Sequence, residues 1–246
     1  MPSLLLAGAV GVVALLYASV GHAGATGYIA VMALAGMAPA AIRPTALLLN
    51  VLVAGIATIQ FQRAGHGSWR LFLPLAVASV PCAALGGSLD LSAVLFSRLI
   101  GATLLVSAAR LALEARGGGE PRHAAPRLQD KALPALGGAI GLLSGLTGVG
   151  GGVFLTPVLL AVRAAPVKTV AAVTAPFILV NSLAGLAGGL AAGKPLEWPS
   201  PMLLLAAIGG GLAGASCGAY LLPPKTLRIL MACVLTLAGV KLLTAA

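Results

Sequence analysis

The stretch GLLSGLTGVGGGVFLTPVLL, Gly141–Leu160, is apolar enough to lie in a membrane, yet five glycines interrupt its middle. Glycine costs a helix roughly 1 kcal/mol per site relative to alanine. A segment that accepts this cost repeatedly is using its backbone for more than a continuous helix. We therefore expect a break here, followed by a short helix at Val153–Val162. At 1.5 Å per residue, that helix spans only about half of the hydrocarbon core.

The rest of the chain has the composition of a helical membrane protein. Of its 246 residues, 59% are hydrophobic and 8% are charged, and the mean hydropathy is +1.06. Soluble domains are about 25% charged, so this chain lacks the polar residues to cover a water-facing surface. The apolar runs have helical length and no strand-like alternation. They predict an all-α integral membrane protein, built as a multi-pass helical bundle.

The net charge of +10 does not indicate nucleic-acid binding. Basic residues stand singly or in short clusters between apolar runs, which is typical of a positive-inside topology signal. Only 4% of the residues are aromatic, too few for a base-stacking surface. The three cysteines lie inside apolar runs without a CxxC pair or a Cys/His cluster, so we expect neither a metal site nor a cofactor.

Two halves of similar length flank the polar stretch Glu114–Pro134. Each half has an apolar run, a glycine cluster (Gly21–Gly27; Gly148–Gly152), a short apolar piece and further long runs. This shared order predicts two membrane repeats, 1–113 and 132–246, joined by a linker at 114–131. We expect about 8–10 helical segments, with a glycine-broken re-entrant or half-helix pair in each repeat.

Loop charge predicts the orientation of the repeats. Basic residues at the Arg63–Arg70 turn, in the linker and at the Lys225–Arg228 turn place all three in the cytoplasm. This works only if the two pieces beside each glycine cluster enter the membrane and return to the same side. Each half then crosses the membrane an odd net number of times. The second repeat is therefore expected to be inverted relative to the first.

The second glycine cluster has the chemistry of an anion site. A half-helix that begins inside the membrane exposes unpaired N–H groups and the positive end of its dipole. Glycine allows close approach of a ligand, and neighbouring threonines add hydroxyl donors. The predicted binding residues here are Thr147, Gly148, Gly150, Gly151, Gly152 and Thr156. The alternative is that these glycines only allow tight helix crossing.

The stretch Gly141–Leu160 resembles the signature of the TauE/SafE family of sulfite-exporter-like membrane transporters. VGHAGATGYIAVMALAGMAPAAIRPTALLLNVLVAGI and FQRAGHGSWRLFLPLAVASVP resemble a subgroup of the same family, so the resemblance covers nearly the whole chain. It implies a two-repeat permease of the bacterial inner membrane. Family members are associated with sulfur-containing anions such as sulfite and organosulfonates, many of them moved outward. GHAGATG departs from the family's usual glycine run in the first repeat.

The first cluster supplies a second set of expected binding residues: Gly21, His22, Gly24 and Thr26. An ionisable residue at membrane depth is a functional hypothesis by default. His22 either donates to an oxyanion, takes up a proton coupled to transport, or makes a structural hydrogen bond. Tyr28 stands nearby, where plainer residues are common in the family.

Other polar residues lie inside or beside the apolar runs. We expect four of them to line the pocket, although interhelical hydrogen bonds would also satisfy them: Thr45, Asn50, Thr174 and Asn181. Arg43 and Lys168 begin long runs in matching places, and they fit either an anion entry path or interfacial snorkelling. No carboxylate lies deep in a predicted span, which disfavours a sodium- or proton-driven carrier that uses an intramembrane Asp or Glu.

The leading function is a secondary transporter of a small sulfur oxyanion or organosulfonate, exported by alternating access. Two alternatives stay open: a permease for a different small anion, and a non-transporting membrane assembly or partner protein. An enzyme is disfavoured because the chain has three scattered histidines, no HExxH motif and no buried carboxylate pair. The expected partners are the small anion and the lipid bilayer, and a homo-oligomer is compatible with the sequence.

Overall fold

The computed structural model describes residues 2–37, 39–89, 132–196 and 198–244, with the single positions 105, 108, 109 and 112. The regular elements in these ranges are helices: α1 (Pro2–Ser19), α2 (Ala25–Leu34), α3 (Pro39–Arg63), α4 (Trp69–Ser88), α5 (Leu133–Thr147), α6 (Gly152–Ala161), α7 (Val167–Ala191), α8 (Pro201–Ser216, continued by a π-helical turn at Cys217–Leu221) and α9 (Pro224–Thr244). The predicted linker at 114–131 and most of 91–113 lie outside the described residues.

Four helices in the described ranges are long and apolar enough to cross a membrane, namely Ala41–Arg63, Trp69–Ser88, Val167–Ala191 and Pro201–Leu221. Large apolar side chains stay exposed along α4 and α8, among them Leu73, Val77 and Leu205. Contiguous exposed apolar surface of this kind is suited to lipid rather than water. The predicted multi-pass helical bundle is confirmed.

Helix lengths recur in the two halves. The second helix of each half, α2 or α6, has 10 residues, and the third, α3 or α7, has 25. The expected short helix after the second glycine cluster is present at Gly152–Ala161. It begins one residue earlier than predicted because Gly152 already has helical geometry.

Glycines spaced four residues apart join the first helix of one half to the fourth helix of the other. A Cβ added at these glycines would overlap a backbone carbonyl oxygen of the facing helix, so only glycine permits this approach. On α5 the glycines face α4 in the pairs Gly137–Leu75, Gly141–Ser79 and Gly145–Ala83; on α8 they face α1 in the pairs Gly210–Gly11, Gly214–Leu15 and Gly218–Ser19. Residue numbers rise together in both sets, so the paired helices run parallel.

The third helices, α3 and α7, meet in the centre of the bundle and run antiparallel. Midway along them, the Asn50 Nδ2 atom lies 3.5 Å from Ser182 Oγ. At one end, Arg43 near the start of α3 lines the same cavity as Gly189 near the end of α7. Of the four long helices, α7 has the largest buried share. The core therefore surrounds these two helices.

The short helix α6 doubles back along α7. A Cβ at Gly152 would meet Ile178 and Thr174, while Thr156 further along α6 contacts Thr174 through its hydroxyl. Residue numbers on α6 rise as those on α7 fall, so these two helices are antiparallel. Because α5 runs parallel to α4, the pair α5–α6 leaves one end of the bundle and returns toward it. The glycine turn is the tip of this hairpin.

Candidate functional site

The two glycine turns share two left-handed positions, and the second turn has a third at Gly150. Gly21 and Gly24 have φ of +76° and +99°, and Gly148 and Gly151 have φ of +73° and +80°. In each half the first glycine follows the end of a helix and the second directly precedes a 10-residue helix. All four residues are buried. The two short helices therefore start from similar turns inside the protein.

The second turn places four successive backbone N–H groups, those of residues 150–153, at the start of α6, and this segment is the cradle. Gly150 and Gly151 are successive left-handed residues, each with φ of +80°. The N–H groups of residues 150–153 donate no hydrogen bond to any residue the structure describes, and all four residues are buried. Successive backbone donors at a helix N-terminus form an anion-binding nest, which the positive end of the helix dipole strengthens.

Short polar side chains surround this cradle. A Cβ at Gly150 would lie 2.8 Å from Asn50 Nδ2 and 3.0 Å from Ser182 Oγ. Asn50 Nδ2 also donates to the carbonyl of Val149 at 3.3 Å. Two fully buried atoms here, Asn50 Oδ1 and Ser144 Oγ, have no hydrogen-bond partner in the described part of the chain. A buried polar atom without a partner costs about 1–3 kcal/mol, so these atoms point to a polar ligand.

His22 joins the first turn to the second. Its Nε2 atom lies 3.2 Å from the carbonyl oxygen of Gly152, and its Nδ1 atom lies 3.3 Å from that of Val20. A neutral imidazole carries one N–H, so it donates to one of these carbonyls at a time. With 2% of its surface exposed, His22 connects the start of α6 to the end of α1 within the core.

Aromatic side chains fill the space beside the first turn. Thr26 shares a hydrogen bond of 2.8 Å with the Tyr17 hydroxyl. A Cβ at Gly24 would lie 3.0 Å from the Tyr28 ring, whose hydroxyl is buried without a partner among the described residues. Gly21 packs against Ala171 of α7. The first turn is thus bordered by tyrosine side chains.

The remaining predicted pocket residues have mixed surroundings. Thr156 and Thr174 bond each other through their hydroxyls at 3.0 Å, which ties α6 to α7. Thr147 Oγ1 accepts from the Val149 N–H at 3.2 Å and so stabilises the turn. Thr45 is buried on α3.

Asn181 is placed differently from Asn50. Its Oδ1 atom accepts a hydrogen bond from Ser79 of α4, and its Nδ2 atom donates to the Phe177 carbonyl at 2.8 Å. Both ends of this amide are used within the bundle. Asn50 instead contacts the glycine turn and keeps a spare acceptor.

Arg43 lies beside the second turn and reaches the C-terminal end of α4. A Cβ at Gly148 would lie 2.7 Å from Arg43 Cγ. The guanidinium donates to the carbonyls of Gly145, Gly86 (3.5 Å) and Gly87 (3.3 Å). Lys194 Nζ donates to the same Gly87 carbonyl at 3.2 Å. Both cations line a cavity of about 350 Å³.

Lys168 has a comparable role at the other end of the bundle. Its Nζ atom donates to the Ala219 carbonyl, in the π-helical turn after α8, at 3.3 Å. His66 Nε2 donates to the same carbonyl at 3.3 Å. A cation at a helix C-terminus is favoured by the helix dipole. Arg43 and Lys168 therefore both bind the end of a fourth helix, on opposite sides of the bundle.

Sequence reasoning missed three residues of this region: Ser144, Ser182 and Lys194. Ser144 stands between the packing glycines of α5, and Ser182 follows Asn181 directly. Their burial beside the turn depends on helix rotation, which an apolar run does not reveal. Lys194 lies in a turn, where a lysine is usually a solvated or topogenic residue.

A buried backbone cradle inside a bundle with four potential membrane-crossing helices defines a multi-pass helical membrane protein with an internal polar site. The chain belongs to the family described as sulfite exporter TauE/SafE, which it matches over residues 5–242. It is 42% identical over 238 residues to the "Probable membrane transporter protein y4hK" of Sinorhizobium fredii, covering 94% of each chain. No solved structure matches this chain. Family membership places the chain among membrane transporters.

Proposed function

We propose that this protein is a secondary transporter that exports small sulfur-containing anions, such as sulfite or organosulfonates, across the bacterial inner membrane. The observation that carries this proposal is the cradle of buried N–H groups at residues 150–153. Four successive backbone donors without an acceptor among the described residues favour an oxyanion over a cation or an apolar ligand. The family's association with sulfur oxyanions agrees with that geometry.

The side chains around the cradle tune the ligand that it accepts. The Asn50 amide and the Ser144 and Ser182 hydroxyls supply donors close to Gly150. The spare Asn50 Oδ1 acceptor favours an anion that also carries an O–H or N–H group, as hydrogen sulfite or an aminoalkyl sulfonate does. His22 links the other glycine turn to this cradle and couples the two halves.

Alternating access would follow from two inverted repeats, 1–113 and 132–246, with the linker 114–131 in the cytoplasm. The antiparallel α3 and α7 support this arrangement, as do the reciprocal α1–α8 and α4–α5 pairs. With α1 parallel to α8 and α5 parallel to α4, the two halves begin at opposite ends of the bundle. Rocking of one repeat against the other would then expose the cradle to each side in turn. Arg43 and Lys168 are proposed to lie on the two entry paths.

Counterflow into proteoliposomes loaded with sulfite, alkyl sulfonates or control anions tests the function. Gly150→Ala forces a side chain into left-handed backbone, which costs about 1–2 kcal/mol, and narrows the cradle. We expect flux to fall at least about tenfold, the equivalent of 1.4 kcal/mol. Gly209→Ala is the matched control, because a Cβ at that helical position meets no atom within 4 Å.

Three outcomes would contradict this proposal. One is the absence of flux for every sulfur anion in reconstituted, folded protein. A second is full flux in Gly150→Ala. Because that variant also strains the fold, Ser182→Ala is measured beside it; an unchanged anion affinity there would remove the cradle as the binding site.

A further inference from the structure

The cavity beside the glycine turn has two kinds of lining. The cationic groups of Arg43 and Lys194 lie together, because both donate to the Gly87 carbonyl. Most of the other lining residues are aliphatic or glycine, among them Leu186 and Leu190 of α7. A cavity lined by two cationic groups and by aliphatic side chains suits a ligand that has an anionic group and an apolar part.

One face of α3 extends from this cavity to the glycine turn. Arg43, Leu47 and Asn50 are spaced four and three residues apart on α3, so they lie along one face of that helix. Arg43 and Leu47 line the cavity, and Asn50 touches the turn. A Cβ at Gly185 of α7 would lie 3.9 Å from Leu47 Cδ1, so Leu47 faces α7 between the cavity and the glycine turn.

We propose that this cavity is an outer binding site for organic monoanions with a short alkyl chain, and that alkyl sulfonates occupy it before reaching the glycine turn. This inference rests on the proposed transport of sulfur anions and names the members of that class which the cavity selects. The sulfonate group lies against Arg43 and Lys194, and the alkyl chain lies against the α7 wall. Inorganic sulfite gains only the ionic part of this interaction.

Size and polarity support an organic ligand. The volume of about 350 Å³ is within the range of small-molecule sites, roughly 300–1,000 Å³. Guanidinium and ammonium groups form charge-assisted hydrogen bonds with sulfonate oxygens. Each methylene group placed against an apolar wall adds about 0.8 kcal/mol, which is roughly a fourfold gain in affinity.

The test uses the full chain in nanodiscs of zwitterionic phosphatidylcholine. Binding of methane-, ethane- and butanesulfonate is measured by calorimetry, with sulfate as the inorganic reference. We expect affinity to rise roughly fourfold per methylene and sulfate to bind more weakly than butanesulfonate. Lys194→Gln should weaken butanesulfonate binding by about tenfold or more, the value of a hydrogen bond to a charged group. Lys225→Gln, an exposed lysine on α9, is the matched control.

A second variant separates charge from apolar contact. Leu186→Gln should flatten the dependence on chain length while methanesulfonate binds as before. Equal affinity across the series in the natural protein, or an unaltered series in both Lys194→Gln and Leu186→Gln, would overturn the proposal. A further arm adds phosphatidylglycerol to the nanodiscs at a low concentration of butanesulfonate. If the lipid displaces the sulfonate, the cavity is a site for a lipid headgroup and the proposal is overturned.

The outcome is independent of the test of transport. If the cavity is not a sulfonate site, Lys194→Gln and Leu186→Gln keep their flux and their selectivity, while Gly150→Ala still loses flux. If the transport proposal fails, no variant or natural protein shows flux for any sulfur anion. Both proposals are supported if the natural protein transports sulfonates with a preference for longer chains and Leu186→Gln keeps the flux but loses that preference.

Discussion

The two glycine turns share two left-handed positions and differ at a third and in their surroundings. Gly24 and Gly151 both have left-handed φ and both precede a 10-residue helix. At the position before them, the first turn has Ala23 and the second has Gly150. Tyrosine rings lie beside the first turn, whereas the second turn contacts Asn50 and Ser182 as well as Ile178 and Phe177. The two halves therefore share a break before a short helix while the side chains around that break differ.

The largest expected effect tests the shared backbone. Gly24→Ala and Gly151→Ala each introduce left-handed strain and a close contact, to Tyr28 at 3.0 Å or to Phe177 at 2.9 Å. Strain and overpacking together should destabilise each variant by about 3 kcal/mol. Thermal unfolding in detergent would show similar drops in Tm for the two.

A large drop at one turn and none at the other would contradict the structural equivalence of the turns. Gly209→Ala again serves as the control, because it adds a Cβ in open space and should leave Tm nearly unchanged. The comparison is therefore between three Gly→Ala changes that differ only in backbone conformation and available space.

A smaller effect tests the chemical difference between the turns. Asn50→Leu removes the amide beside Gly150, and we expect the KM for the transported anion to rise about tenfold, as for the loss of one charge-assisted hydrogen bond. Asn181→Leu is its matched control, since Asn181 bonds only to Ser79 and Phe177 in the described residues. The control should lower Tm and leave KM unchanged. An equal rise in KM in the two variants would place both amides at the site. An unchanged KM in both variants would remove Asn50 from it.

The sequence predicts the turns well because they depend on local chemistry. A run of glycines breaks a helix wherever it occurs, so the start of α6 was correct to one residue. The partners of the polar residues were not predictable in this way. Thr156 bonds Thr174, and Lys194 reaches Gly87 across 107 positions of the chain. Helices that are apolar all round give no signal of which face meets which neighbour.

The alternatives for Arg43 and His22 were left open by the sequence for the same reason. Arg43 binds carbonyls at the end of α4 and also lines a cavity, so it combines features of both interpretations. Whether a cation lies on a path or only caps a helix depends on the space beside it. That space is formed by α3, α4 and α7 together, and no single segment specifies it.

The smallest expected effect concerns the link between the turns. His22→Leu removes the contact to Gly152 and leaves that carbonyl buried without its partner, so unfolding free energy should fall by about 1 kcal/mol. His22→Gln keeps an N–H donor of similar reach and should restore most of that loss.

If His22 also carries a proton in transport, His22→Gln would recover Tm, but the flux of both variants would lose the pH dependence of the natural protein. Tm and a pH profile of flux, measured on the same preparations, thus separate a structural link from a coupling residue. If His22→Gln recovers both the Tm and the pH dependence of flux, His22 is only a structural link between the turns. The two turns would then differ in their packing and not in a proton-carrying residue.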